Sequence, residues 1–331
     1  MKKVYKILLA FSYLFLCLCA NYGLSQDRNE NGLKYISTEQ LFPKPLLSLQ
    51  NFKSVNQFPV SSVYVKSEFD PFQRKINYPI LAAIGTAVLS TGTIIHFYQK
   101  KAWWSDQRTS FHFQNDWDYA LWIDKIGHIY GGMLIQHGLS SGFEAANLSS
   151  EKSAWYGAAG ALAFQTFIEI EDGFGPQWGF SPGDFIGDVI GSAYPVFQYY
   201  FPSLKNYMLK ASYWPKDLNK TNPNSGQKHI IVDDYHGQKF WLSARMKNIL
   251  PDAAARYWPD FLMLAVGMGV KNLDGSGGGQ RDFYLALDLD AESIPLYGSF
   301  WQFIKNTLNF FHFPMPGIRI TSGVVFFAFC Y

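Results

Sequence analysis

Residues 117–143 read WDYALWIDKIGHIYGGMLIQHGLSSGF, and this stretch decides the fold. Its apolar residues recur at helical spacing, which predicts a helix from about Trp117 to Phe143. Asp124 and His128 are four residues apart, so both side chains leave one face. Gly127, Gly131 and Gly132 share that face and leave room for a neighbouring backbone or a ligand. Ionised groups on such an apolar helix are costly unless they meet each other, a metal or water. The stretch therefore predicts a packed helical core that brings partners to Asp124 and His128.

Those partners are expected from the next two helices. One runs from Glu151 to about Ile170, capped by Ser149 or Ser150, and places Gln165 and Glu169 four residues apart. Glu171 and Asp172 follow, readable as site residues or as the wet end of the helix. After a glycine-rich loop over Gly173–Gly179, a further helix starts with Ser181 as N-cap and Pro182 at its first position. It carries Asp184 and Asp188 at i, i+4, and Pro195 is expected to kink or end it. Short loops force these helices side by side, so the polar sets should converge.

Two chemical roles follow. Asp124, His128, Glu169, Asp184 and Asp188 are candidate ligands for a divalent metal, with an open position for water. Alternatively, His128, Asp124, Glu169 and Asp184 are candidate catalytic acid/base groups, with the imidazole poised by a carboxylate. The plainer readings are a satisfied structural network, or Asp184 as a helix cap and Asp124–His128 as a local surface pair. No specific signature such as H-E-x-x-H is present. Trp178 lines a binding mouth or covers the end of the bundle, and His96 and His137 read as core residues rather than ligands.

Upstream, Tyr78–Gln99 contains no formally charged residue and is long enough to cross a bilayer, or to form a buried core helix. Thr86, Ser90 and Thr93 give it a small-residue stripe, and Trp103 and Trp104 beside Lys100 and Lys101 suit an interface end. At the amino terminus, Lys2, Lys3 and Lys6 precede an apolar run from Ile7 to Ala20, and small residues follow at Gly23 and Ser25. This order predicts a Sec signal peptide over residues 1–25. Cys17 and Cys19 each follow a leucine where lipoprotein processing prefers a small residue, which leaves lipidation an open alternative. Residues 26–77, broken by Pro43, Pro45, Pro59 and Pro71, read as an extended arm.

Beyond the helical core, expected over 78–215, residues 216–228 read as a linker and 229–331 as a β-rich region. Lys239–Met246, Phe261–Val270, Arg281–Asp290 and Ile318–Phe329 read as strands, with turns at His236-Gly237 and Asp274-Gly275. An aromatic helix over Ser299–Phe311 interrupts them. The fold class is α+β: a membrane-like bundle of about four helices followed by a smaller antiparallel sheet.

Composition narrows the partners. Twenty-eight basic and 26 acidic residues give a net charge of +2 with no basic stripe, which argues against nucleic acid. Aromatics make up 18% of the chain, a bias that suits membrane interfaces, so membrane lipid or envelope components are the expected partners. After removal of the signal peptide only Cys330 remains, so no intrachain disulfide can form.

The segments Asp124-Lys125-Ile126-Gly127-His128, Glu169-Ile170-Glu171-Asp172-Gly173-Phe174 and Trp178-Gly179-Phe180-Ser181-Pro182-Gly183-Asp184 resemble the YfiM-like family of predicted periplasmic lipoproteins, a domain of unknown function. The similarity covers about Asp116 to Tyr200. Asp234-Tyr235-His236-Gly237-Gln238 and Trp241-Leu242-Ser243 resemble the longer form found in Bacteroidetes-type bacteria. VanZ-like membrane proteins are more remotely similar, through an Asp-Lys-x-x-His helix and a later aspartate-bearing helix. The positions carried by the resemblance are Asp124, Lys125, His128, Glu169, Asp172, Ser181, Asp184 and Asp188. The resemblance implies a place in the envelope, with periplasmic exposure and contact with the outer or inner membrane, and no particular reaction.

Three readings stand at this point: a non-enzymatic envelope protein with a membrane-associated helical core; a metal-assisted hydrolase or transferase acting on an envelope lipid or cell-wall intermediate; and part of an outer-membrane barrel formed by the C-terminal strands.

Overall fold

The computed structural model describes residues 75–331 except 105–107, 222–225, 227, 276 and 322. The expected signal peptide, Cys17, Cys19 and nearly all of the arm lie outside the described residues.

Four long helices open the described chain, as the apolar periodicity predicts. The first, α1, is Tyr78–Gln99, and Asn77 Oδ1 caps it by accepting from Ile80 N at 3.1 Å. It is the one helix among the described residues long and apolar enough to cross a membrane. Much of its surface is open, with Leu89 73% and Phe97 64% exposed. The other three, α2 (Ile123–Ala145), α3 (Ser150–Gly173) and α4 (Pro182–Tyr200), pack on one another. Ser149 and Ser181 cap α3 and α4, accepting from Lys152 N and Asp184 N.

Two boundaries differ from expectation. The helix expected from Trp117 begins only at Ile123, because Tyr119–Trp122 forms a 3-10 turn. Ala120, Leu121 and Trp122 there have φ of 47°, 55° and 76°. Left-handed backbone costs a non-glycine residue roughly 1–2 kcal/mol. Tertiary contacts hold the turn: Arg281 Nε donates to Leu121 O at 3.0 Å, and Ala120 and Ile123 pack with Phe240 and Val270. Pro195 does not end α4, which runs five residues further to Tyr200. Packing against α2 and α3 offsets the hydrogen bond that the proline removes.

The helices approach closely where glycines meet. A Cβ built on Gly191 of α4 would lie 2.1 Å from Ile129 O of α2, and one on Gly132 would lie 2.8 Å from Ser192 N. Backbone therefore packs directly on backbone beside His128 and Asp188.

Six antiparallel strands follow in sequential order: β1 (Tyr207–Tyr213), β2 (Gln238–Ala244), β3 (Leu262–Lys271), β4 (Gln280–Leu289), β5 (Met315–Arg319) and β6 (Val325–Cys330). The chain is thus α+β, with the helices first and the sheet second. β1 falls inside the stretch expected to be helical, and residues 216–228 join two paired strands of one sheet. The run read as one strand over Ile318–Phe329 folds back at Gly323, φ +93°, to give β5 and β6. The aromatic helix α5 is Ser299–Leu308, and Phe311 beyond it bridges β1 in parallel. Tyr119, Ile126 and Tyr130 from the helical side meet Phe240 and Met268 of the sheet, so helices and sheet share an apolar layer.

Candidate metal centre

The helices deliver their polar sets to one place. His128 Nδ1 donates to Asp188 Oδ1 at 2.8 Å and stands 3.8 Å from Glu169 Oε1. Its Nε2 stands 4.0 Å from Asp124 Oδ1, one helical turn back. Lys125 Nζ lies 3.0 Å from Asp184 Oδ1, 3.1 Å from Asp116 Oδ2 and 3.9 Å from Asp124 Oδ2. Asp124, His128, Glu169, Asp184 and Asp188, expected from three separate helices, therefore belong to one cluster.

Outer contacts fix the orientation of these groups. Gln165 Nε2 donates to Asp188 Oδ1 at 2.6 Å and to His128 O at 3.0 Å. Ser181 N donates to Glu169 Oε2, while Ser181 Oγ donates to Asp116 Oδ1 at 2.5 Å and accepts from Asp184 N. The Asp184 carboxylate itself turns to Lys125, so Ser181 supplies the cap and Asp184 is free for the site. Ser181→Ala should cost about 1 kcal/mol for the cap alone. It would also leave Asp116 Oδ1 without its donor, and a lowered melting midpoint checks it.

Burial sets the electrostatics. Asp188 is fully buried, Glu169 is 2% and Asp184 5% exposed. Burial raises the pKa of Glu169 to about 9 and that of Asp172 to about 7, and it also raises Asp116, Asp184 and Asp188. For His128 burial acts against the charge, but the Asp188 hydrogen bond and the charges of Asp184 and Asp124 outweigh it and hold its pKa well up. Among the described residues, Asp116, Asp124, Glu169, Asp172, Asp184 and Asp188 face only Lys125 and His128 as cationic partners. Asp188 Oδ2 is buried with no hydrogen-bond partner. This is a surplus of acid groups, relieved by protons such as the one burial favours on Glu169 or by one more cation.

Two sets of three have ligand atoms within 4.8 Å of one another: Asp124, His128 and Asp184, and His128, Glu169 and Asp188. Both use His128, which has one ring nitrogen toward each set. A cavity of about 1120 Å³ opens on the cluster, lined on the polar side by Asp116, Asp124, His128, Glu169 and Asp184, and on the apolar side by Ile95, Leu134, Ile135 and Phe164. Trp103 and Trp178 also line it, and neither indole N–H has a partner. Trp178 therefore lines the cavity.

Of the other residues singled out in the sequence, Asp172 departs from its reading as a helix end, while Glu171 and His137 keep theirs. Asp172 is not at a wet helix end: Trp104 Nε1 donates to its Oδ1 at 2.5 Å. Glu171 does face outward and pairs with Arg108 at 3.0 Å. His137 stays outside the cluster, bonded to Thr307 Oγ1 at 2.9 Å, and burial lowers its pKa to about 4. Two contributors were not legible as site residues. Asp116 lies before the helices, and Tyr235, whose hydroxyl donates to Asp124 Oδ1 at 2.7 Å, comes from the turn before β2. The only trace of Tyr235 in the sequence is its place in the Asp234–Gln238 segment.

A family model described as predicted periplasmic lipoprotein (DUF2279) matches residues 112–200. That stretch supplies Lys125, His128 and all six carboxyl groups of the cluster. No curated protein and no solved structure matches the chain.

Proposed function

We propose that this chain is an exported envelope protein, attached to a membrane, whose helical core holds a divalent cation beneath a pocket for an amphipathic ligand. One observation carries the reading. His128 is shared by two three-ligand sets among buried carboxylates that outnumber their cationic partners, with Asp188 Oδ2 left unpaired. Asp188 holds Nδ1 of the imidazole, which directs Nε2 toward Asp124, Asp184 and the cavity. Carboxylates that orient a histidine ligand in this manner are common behind metal centres. Asp124, His128 and Asp184 are then the ligands, and Glu169, on the cavity wall, is the group placed to move a proton.

A bound divalent ion would supply a Lewis acid and an activated water, which suits hydrolysis or group transfer on an envelope lipid or cell-wall intermediate. The mixed lining of the cavity accommodates such a molecule, with a polar head at the cluster and an apolar body along Ile95, Leu134 and Phe164. The description of the matching family supports a periplasmic address. Membrane attachment is supported by the exposed, uncharged α1, which alone is read as crossing the bilayer, and by the resemblance of the Asp124–His128 helix to VanZ-like membrane proteins.

Metal analysis of protein purified without chelator tests the centre. The parent chain should carry a divalent metal that His128→Ala and Asp184→Asn lose. Asp188→Asn, which removes the orienting group, should weaken retention by about 10–100-fold. Equal metal content in the parent and all variants overturns the proposal.

A further inference from the structure

The sheet turns part of an apolar row outward while it encloses charged pairs. Strand register lines up Leu209, Leu242, Val266, Leu285, Ile318 and Phe326 as one row across all six strands. Directly paired residues point to the same face, so this row is a continuous apolar band. Three of its six members are exposed, Leu242 at 52%, Val266 at 54% and Phe326 at 69%, and Leu209, Leu285 and Ile318 are half-buried. The opposite face is enclosed, and beside the apolar cluster of Trp241, Ala265, Tyr284 and Ala286 it also buries charges. Lys210 Nζ pairs with Asp288 Oδ2 at 2.9 Å with both side chains fully buried, and Ser243 Oγ donates to the same carboxylate at 2.6 Å. Lys271 pairs there with Asp282 at 3.1 Å.

A sheet in water keeps its large apolar residues inward and its charges outward. Burying ion pairs while exposing leucine, valine and phenylalanine is unfavourable on both faces in water. It is the arrangement of strands whose outer face meets hydrocarbon. Aromatic rings stand at the strand ends: Trp214 just after β1 at one end, and Tyr257 and Trp258 before β3 with Tyr331 just after β6 at the other. Aromatic rings at both ends of an apolar band mark interfacial positions.

We infer that the outward face of this sheet is seated in the acyl layer of a phospholipid leaflet. The seat is within one leaflet rather than across the bilayer. β6 pairs only with β5 among the described residues, and an open strand edge is not tolerated at full hydrocarbon depth. The inference rests on the membrane location proposed above and adds a second contact to that of α1.

Site-specific photocrosslinking tests it. Leu242, Val266 and Phe326 are replaced one at a time by benzoylphenylalanine in the full chain, with Lys220, 67% exposed on its side chain, as the control. Each chain is reconstituted with vesicles of phosphatidylethanolamine and alkyne-tagged phosphatidylglycerol, floated and irradiated. All four replaced side chains are largely solvent-facing, so the packed face is left intact, and a parent-like melting curve accompanies each. Lipid adducts at the three sheet positions and none at Lys220 support the seat. Flotation with no adduct at the sheet overturns it while leaving attachment through α1 standing. Chain-to-chain adducts overturn it in favour of a second copy. Adducts at all four positions overturn it as non-specific.

Discussion

Lys125→Met is expected to lower the thermal midpoint by about 10 °C, from a loss of roughly 3–5 kcal/mol. The ammonium lies within 3.1 Å of both Asp184 and Asp116 and is almost enclosed, at 6% exposure. Methionine keeps the length of the side chain and removes the charge. The buried Asp184 and the half-buried Asp116 would then be left facing each other, and they would have to take up protons or admit water. The helices α2 and α4, which this lysine ties together, would lose their central polar contact. The measurement is a melting curve at neutral pH. An unchanged midpoint would mean that Asp116 and Asp184 are neutralised by something other than Lys125.

Gly191→Ala is expected to cost about 3 kcal/mol, the upper end for overpacking, and to weaken retention of the divalent ion proposed for the centre. The added carbon would stand 2.1 Å from Ile129 O and 2.8 Å from Ile129 C, both backbone atoms that cannot rotate aside. α2 and α4 must part, and they carry the two ends of the 2.8 Å His128–Asp188 bond. Gly138→Ala provides the contrast. It lies on α2 with nothing within 4 Å of the place its new methyl would occupy, so it should be neutral or stabilise the helix by up to about 1 kcal/mol. Equal melting and equal metal content in the two variants would show that helix spacing does not govern the centre.

The helical part of the fold was legible because its signals are local. Caps at Ser149 and Ser181 and the i, i+4 spacing of Asp124–His128 and Asp184–Asp188 fix both the elements and the faces. Convergence then followed from loops too short to separate the helices. What escaped depends on distant residues. The left-handed turn at Ala120–Trp122 is held by Arg281, 160 residues away. β1 was hidden because Lys210 and Ser212 occupy its buried positions, so its pattern looks unlike an ordinary half-buried strand. Asp116 and Tyr235 come from irregular segments, where spacing carries no facing information. The exposure of Leu242, Val266 and Phe326 was likewise out of reach, since alternation reveals two faces without saying which is enclosed.

The hydroxyl of Tyr235 reaching Asp124 has a consequence for how the chain can be divided. The segment matched by the family model ends at residue 200, yet one donor to its acidic centre is delivered from 35 residues further along. A fragment cut at that boundary would keep the acids and the imidazole but forfeit the hydroxyl and the Phe240–Val270 wall against which Ala120 and Ile123 rest. The later half is thus a working component of the earlier one, and the smallest piece of this protein with a complete centre extends at least into β3.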